Sequence, residues 1–350
     1  MKVILTGLHI SHIATALPKR VVAMMDYGKY FTDKEINRIK KSTGVESVHV
    51  ADDDMCTSDY HVLLASRLMQ EMGVSGKDFD GIVLVTETPD YKIPATSVIM
   101  QDRLGLPQSA VAFDINQGCS GYVYGLYQAS LLVSSGSCKR VLVFTGDTHV
   151  RMIHEQDRSN RMLAGDGFAV AVVESGNQSL CFNIHSDGSG YQYIYVEAGG
   201  WRRPKSEETA KPVKDKNGHL RWPEYTYMDG MEITNFALTR VPPLVRETLE
   251  YADWSLEEVG TFAMHQANRL ILEFLAKRIG IEQERMPIAM EDMGNTVAAS
   301  VPLMLCKYHQ KLAASGRLEK VLIGGFGVGL SWGAVAADLS NTLIHDIWEI

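Results

Sequence analysis

Asp114-Ile-Asn-Gln-Gly-Cys119-Ser-Gly-Tyr-Val-Tyr-Gly125 sets one cysteine between glycines, after a short apolar strand and before an apolar helix. A chain presents a thiol this way at a strand-to-helix turn. Free N–H groups and the helix dipole there favour thiolate and lower the thiol pKa. The flanking glycines let a ligand come close to the backbone. Working outward, residues 111–115 read as the strand, and the helix after Cys119 runs to Ser135-Gly136. The same unit then recurs. Ser135-Gly-Ser-Cys-Lys-Arg-Val-Leu-Val143 resembles Ser315-Gly-Arg-Leu-Glu-Lys-Val-Leu-Ile323, 180 residues later. Val83-Leu-Val85 finds its counterpart in Phe262-Ala-Met264, and the segment after Gly118-Cys119 matches the one after Gly294-Asn295. Repeats of solenoids are about 20–50 residues long, so a period this great indicates a duplicated fold.

The remaining punctuation agrees with an α/β chain. Residues 2–10 read as a first strand, and 82–85 and 141–144 as continuous apolar runs of buried strands. Residues 32–43 read as a helix with Thr32 as N-cap and Glu35 completing a capping box. Residues 58–72 are amphipathic at helical spacing and end at Gly73, and 95–105 read as a helix ending at Gly105. Strands alternating with helices make the fold class α/β. The domains expected are 1–175, carrying the cysteine; a connecting excursion, 176–228; and 229–350, carrying a histidine and an asparagine of interest. Residues 183–228 are rich in Gly, Lys, Pro and Tyr and read as an exposed, mobile excursion.

Composition narrows the function classes. The 350 residues are 45% hydrophobic and 22% charged, ordinary values for a globular protein. A net charge of −8 argues against a general nucleic-acid binder. Five scattered cysteines (Cys56, Cys119, Cys138, Cys181, Cys306) without a Cys-x-x-Cys pair argue against a metal site or a disulfide framework. There is no signal-peptide pattern and no apolar run of about 18 residues, so no membrane association and a cytoplasmic setting are expected.

Three further segments carry chemistry. They are Met264-His265-Gln-Ala-Asn268, Met293-Gly-Asn295-Thr-Val-Ala-Ala-Ser-Val-Pro302 and Gly324-Gly-Phe326-Gly-Val-Gly-Leu-Ser-Trp332. With Gln117-Gly-Cys119-Ser-Gly, the His and Asn segments fall at equivalent strand ends of the two halves, where α/β sheets bind ligands. Cys119 supplies a nucleophile, while His265 and Asn295 are suited to hydrogen-bond a developing oxyanion or enolate. The glycines after the last strand lack both the Gly-Lys-Ser/Thr ending of a phosphate loop and Rossmann spacing, and their N–H groups suit an oxyanion hole.

In order and over nearly the whole chain, these segments, with Gly165-Asp166-Gly167, resemble the ketoacyl synthase III family of the thiolase superfamily. The resemblance implies a five-layered αβαβα thiolase fold and a homodimer. It implies that Cys119 takes an acyl group from a thioester. His265 and Asn295 then assist loss of CO2 from a malonyl-type thioester, malonyl-CoA or a malonyl carrier protein, and the resulting enolate attacks the acyl-cysteine. The backbone N–H groups of Cys119 and Val328 form the oxyanion hole, and Phe326 is the gate beside the malonyl carboxylate. CoA or carrier-protein thioesters enter as substrates, and no bound cofactor is implied. Contacts to CoA or carrier are implied for Arg158, Asn268, Arg269 and Arg38. The chain departs from the family in having Arg38 and Ser42 where a Trp and an Arg hold the adenine, Val48 where an Arg is frequent, and Leu270 at the carrier-contacting Arg position. These departures indicate a specialised fatty-acid or secondary-metabolite synthase. Basic residues Arg202, Arg203, Lys205, Lys211, Lys214 and Lys216 are candidates to meet an acidic carrier, and Ile93-Pro94 matches a loop that closes the partner's pocket. Two alternatives stay open: acyl transfer from Cys119 to an alcohol or amine without decarboxylation, and a non-catalytic partner subunit of a heteromeric synthase.

Overall fold

The computed structural model describes residues 1–215 and 218–350. Nine strands form one continuous sheet: β1 Lys2–Leu17, β2 Gly81–Val85, β3 Val111–Ile115, β4 Arg140–Asp147, β5 Gly167–Ser186, β6 Thr261–Met264, β7 Val321–Gly327, β8 Ser331–Ala337 and β9 Leu343–Glu349. Its order is β6-β7-β8-β5-β4-β2-β3, with β1 pairing both β5 and β9. The helices are α1 Asp33–Thr43, α2 Thr57–Met72, α3 Thr96–Arg103, α4 Gly121–Ser134, α5 Gly230–Tyr251, α6 Arg269–Ile279 and α7 Ser300–Ala314.

The duplication is visible in the pairing. β2 runs parallel to β4, and β4 antiparallel to β5. In the other half β6 runs parallel to β7, and β7 antiparallel to β8. β5 serves both halves: residues 167–174 pair with β4, and 181–186 with β8. It therefore runs unbroken through position 175. β1 follows β5 antiparallel, with register shifts around Leu8.

Strand side chains alternate between faces, and this alternation sorts the core into layers. Val83, Val141 and Val143 face inward with Ala263, Val321 and Ile323, and all pack with α4 and α7 in one central cluster. Their neighbours Ile82, Leu84, Leu142 and Phe144 point the other way, onto α2 residues Leu64 and Leu68. Phe262, Met264 and Leu322 likewise face away, onto Val241 and Val245 of α5 and Leu272 of α6. Helices thus lie between the two halves of the sheet and outside each half, the five-layered α/β architecture expected.

Helix ends follow local chemistry. Thr32 Oγ1 accepts from the Glu35 N–H, and Glu35 reaches back to Thr32 N. α1 stops at Gly44, whose φ of 82° is left-handed. The helix expected over 95–105 is shorter, Thr96–Arg103. The excursion is not irregular. It carries two small strand pairs, 194–196 with 226–228 and 213–214 with 220–221, and Trp222 stacks on His154 with ring centroids 3.5 Å apart. Among the described residues no helix is long and apolar enough to cross a membrane.

Candidate active site

Cys119 sits in a tight turn closed by the Gly121 N–H to Gly118 carbonyl bond of 2.7 Å. Asp114, at the end of β3, accepts from the Thr96 and Ser97 N–H groups (2.7 and 2.9 Å), which fixes the strand against α3. The turn is pressed onto β7. A Cβ on Gly325 would lie 2.7 Å from Ser120 Cα, and one on Gly327 would lie 2.8 Å from Cys119 Sγ. The glycine-dense segment expected after a strand is thus largely inside it: Gly324, Gly325 and Gly327 belong to β7. Their lack of side chains makes room for the cysteine loop, and the turn proper begins at Val328.

The thiol accepts hydrogen bonds from the backbone N–H groups of Val328 and of Cys119 itself, which favour thiolate. Burial opposes them, and so does the Glu87 carboxyl. The net result pushes the thiol up to about 12. The lowered pKa expected from a helix N-terminus is therefore corrected: desolvation outweighs the dipole, and the resting group is a thiol.

His265 follows β6, with its N–H bonded to the Gly324 carbonyl at 2.8 Å. Ser300 Oγ lies 2.8 Å from His265 Nδ1 and accepts from the Gln266 N–H at 3.2 Å. Gln266, buried, spans Met264 O and Ala289 N at 2.8 Å each, locking this loop. Burial lowers the His265 pKa to about 4, with a backbone hydrogen bond at Val297 pulling the other way, so the ring is neutral. Phe326 stands edge-to-face against it, 5.6 Å between centroids.

Asn295 does not follow a strand, contrary to expectation. It is held by a bridge to the 163–165 segment: its N–H donates to Leu163 O (2.8 Å), and its carbonyl accepts from Gly165 N (3.1 Å). Asp166 anchors that segment by accepting from the Ala51 and Val150 N–H groups at 2.8 Å each. Asn295 Oδ1 accepts from Val297 N at 3.0 Å, leaving the amide group aimed away, 3.5 Å from Ala267 O. Val297 has a φ of 51°, a strained setting for a β-branched residue. That strain sits at the residue that holds Asn295 and touches His265.

These loops meet in one cavity with two lobes. Cys119, His265, Asn295, Phe326, Asn268 and Gly327 line the first. Cys119 and Asn295 line the second as well, with Val328, Glu87, His149, Asn160 and Thr226. Asn268 also caps α6, its Oδ1 accepting from Ile271 N at 2.8 Å. The basic residues singled out do not line either lobe. Arg158 pairs with Glu35 at 2.9 Å, Arg38 is exposed on the same helix, and Arg269 lies over Gly44. Leu270 and Phe274 are exposed one turn apart on α6. In the excursion, Arg203 pairs with Glu197 and Glu208, and Lys205 with Glu224. Arg202, Lys211 and Lys214 are exposed, and Lys216 lies outside the described residues.

Sequence reasoning assigned no role to Ser300, Glu87, His149, Asn160 or Thr226. Ser300 had a signal, since it lies within the quoted Asn295 segment. The others lie on unremarkable stretches that only the tertiary fold brings to Cys119.

The family model described as 3-Oxoacyl-[acyl-carrier-protein (ACP)] synthase III matches residues 113–188, and the model of its C terminal part matches 249–339. A beta-ketoacyl-[acyl-carrier-protein] synthase III of Caldanaerobacter subterraneus subsp. tengcongensis is 34% identical over 322 residues, covering 90% of this chain and 93% of the relative. One of Chelativorans sp. is 34% identical over 334 residues, covering 92% and 96%. The crystal structure of a 3-oxoacyl-(acyl-carrier protein) synthase from Burkholderia xenovorans superimposes with a TM-score of 0.91 at 32% identity, covering 100% of this chain and 99% of that one.

Proposed function

The chain belongs to the 3-oxoacyl-[acyl-carrier-protein] synthase III family, and from that premise we propose how its residues perform a decarboxylative condensation of an acyl thioester with a malonyl-type thioester. The carrying observation is the single cavity in which Cys119, His265, Asn295 and Phe326 converge.

In the first half-reaction Cys119 Sγ attacks the acyl thioester carbonyl. The bond to the carrier sulfur breaks, and the cysteine proton leaves on the carrier thiol. The N–H groups of Val328 and Cys119, already directed at Sγ, hold the oxygen as it becomes negative. A resting thiol is compatible with this, because the leaving thiolate takes up the proton. In the second half-reaction the malonyl carboxylate departs as CO2, and its electron pair becomes an enolate. The Asn295 amide and the His265 Nε2–H donate to the enolate oxygen. With Ser300 as the donor to Nδ1, the ring proton sits on Nε2. A neutral ring suits this work, since it donates without transferring its proton. The buried Phe326 ring gives the malonyl carboxylate an apolar wall, which favours loss of its charge. The enolate carbon then bonds to the acyl carbon, the bond to Sγ breaks, and Sγ leaves as a thiolate that takes a proton from solvent.

We also propose a homodimer. Tyr91, Ile93 and Trp201 are 62%, 85% and 94% exposed, an apolar strip at the Ile93-Pro94 loop that a second copy would cover. Malonyl and acyl groups arrive on CoA or on an acyl carrier protein. The exposed Leu270 and Phe274 mark a carrier contact without the arginine usual at position 270.

The test is to incubate the protein with acyl and malonyl thioesters and measure CO2 and the 3-oxoacyl product. Asn295→Ala should keep the acyl adduct on Cys119 and lose CO2 release by about 10²-fold or more. Equal CO2 release in that variant would reject the assigned roles and favour plain acyl transfer.

A further inference from the structure

We propose that the second lobe of the cavity selects a short acyl group bearing a polar, hydrogen-bonding substituent, a hydroxyl or an amine, over a plain alkyl chain. The inference rests on Cys119 as the acyl carrier.

The two lobes share Cys119, Leu163, Ile194, Met228 and Asn295. One faces His265 and Phe326 and is the place for the malonyl donor. The acyl group on Sγ is left with the other, a small pocket of about 60 Å³. A pocket made for alkyl chains is apolar throughout, because a polar group buried against hydrocarbon loses its hydrogen bonds. This wall is different. Glu87, His149, Asn160 and Thr226 stand among Ile153, Leu163 and Ile194. His149 Nδ1 and Thr226 Oγ1 are buried without any hydrogen-bond partner, and so is Asp147 Oδ2 behind them.

Glu87 lies beside the nucleophile's turn. A Cβ placed on Gly118, the residue before Cys119, would lie 2.7 Å from Glu87 Oε2. Its backbone is held by Asp147, whose Oδ1 accepts from Glu87 N at 2.7 Å, from Thr86 Oγ1 at 2.8 Å and from Thr88 Oγ1 at 3.2 Å. With Asp147 satisfied on that side, Glu87 is the carboxyl that keeps a proton. Burial and the Asp147 charge push it up to about 8. At neutral pH Glu87 therefore offers an O–H donor and a carbonyl acceptor to whatever lies beside Sγ. A hydroxyl on the acyl chain pairs with Glu87, His149 or Thr226. A neutral amine takes the proton from Glu87, and the ammonium so formed binds its carboxylate. An alkyl chain leaves all three unpaired, and a site built for hydrogen bonds discriminates strongly against such an analogue.

The loading step balances as ordinary acyl transfer: the donor C–S bond breaks, the Sγ–C bond forms, and the Cys119 proton leaves on the donor thiol. The experiment uses pantetheine thioesters, which bypass the carrier. Butyryl, 3-hydroxybutyryl and 3-aminobutyryl donors are compared by the rate of intact-mass labelling of Cys119. The hydroxyl or the amino donor should label wild type about tenfold or more faster than butyryl. Glu87→Leu combined with His149→Leu should reverse the order. Glu87→Gln, which keeps hydrogen bonds in the same shape, should retain a hydroxyl preference and lose an amine preference. Malonyl-pantetheine decarboxylation is followed in parallel. Butyryl labelling as fast as the polar donors, with CO2 release intact, overturns the polar pocket alone. A polar preference that survives in the double variant overturns it too. No labelling by any donor overturns both this inference and the function beneath it.

Discussion

Gly327→Ala tests whether the nucleophile is held as tightly as the packing indicates. The new Cβ would stand 2.6 Å from Cys119 Cβ and 2.8 Å from Sγ, where ordinary contact begins at 3.4 Å. Both atoms belong to a buried turn pressed between α4 and β7, so the cysteine must retreat by about 0.6–0.8 Å, the shortfall in those contacts. That moves Sγ off the Val328 N–H and out of line with an incoming carbonyl. A displacement near 1 Å costs on the order of 10²-fold in rate, so Cys119 acylation should slow by about 10–100-fold. Overpacking should also lower stability by about 1–3 kcal/mol. The assay is the time course of the acyl adduct by intact mass, with a thermal melt on the same sample. A lowered melting temperature with an acylation rate within about twofold of wild type would refute the argument. It would mean that the strand yields rather than the cysteine.

Ser300→Ala should leave acylation of Cys119 unchanged and slow CO2 release from the malonyl donor by about tenfold, since the His265 ring loses the hydroxyl that sets its tautomer. The two half-reactions, measured separately, check it. The contribution of Glu87 to stability should fall with rising pH between about 4.5, where it ionises in the unfolded chain, and about 8, where it ionises in the folded one, while buried neutral histidines such as His265 and His61 act in the opposite sense below about 6.5. Through that window the folded state binds the extra proton at Glu87, so raising the pH weakens this contribution. Urea unfolding should show that Glu87→Gln gains stability relative to wild type on going from pH 5 to pH 8.

Much of the fold is legible in the sequence because it depends on local signals. Thr32, Glu35, Gly44 and Gly73 cap their helices through contacts with residues a few positions away. The buried strands are continuous apolar runs whose alternate residues serve two layers. The loops of the candidate site are legible because Cys119, His265 and Asn295 each sit in a distinctive segment. What is not legible depends on segments far apart in the chain. The Cys119 pKa is set by burial and by Glu87, 32 positions upstream, not by the helix that follows it. The glycines of 324–327 look like a loop, yet they pair in a strand and owe their identity to the cysteine turn packed on them. Glu87, His149 and Thr226 meet only when β2, β4 and the excursion come together around one cavity. Residues 183–228 look solvated by composition, while Ile194, Thr226 and Met228 from that stretch wall the site.

The central claim is that one cysteine carries the acyl group that the decarboxylated malonyl unit then captures. Its most direct test is a single-turnover chase: acyl-enzyme is isolated, malonyl thioester is added, and adduct mass and CO2 are followed together. The account predicts that the adduct on Cys119 disappears as CO2 and 3-oxoacyl thioester appear in equal amounts. Adduct that persists while CO2 is released, or that is discharged without CO2, would contradict it.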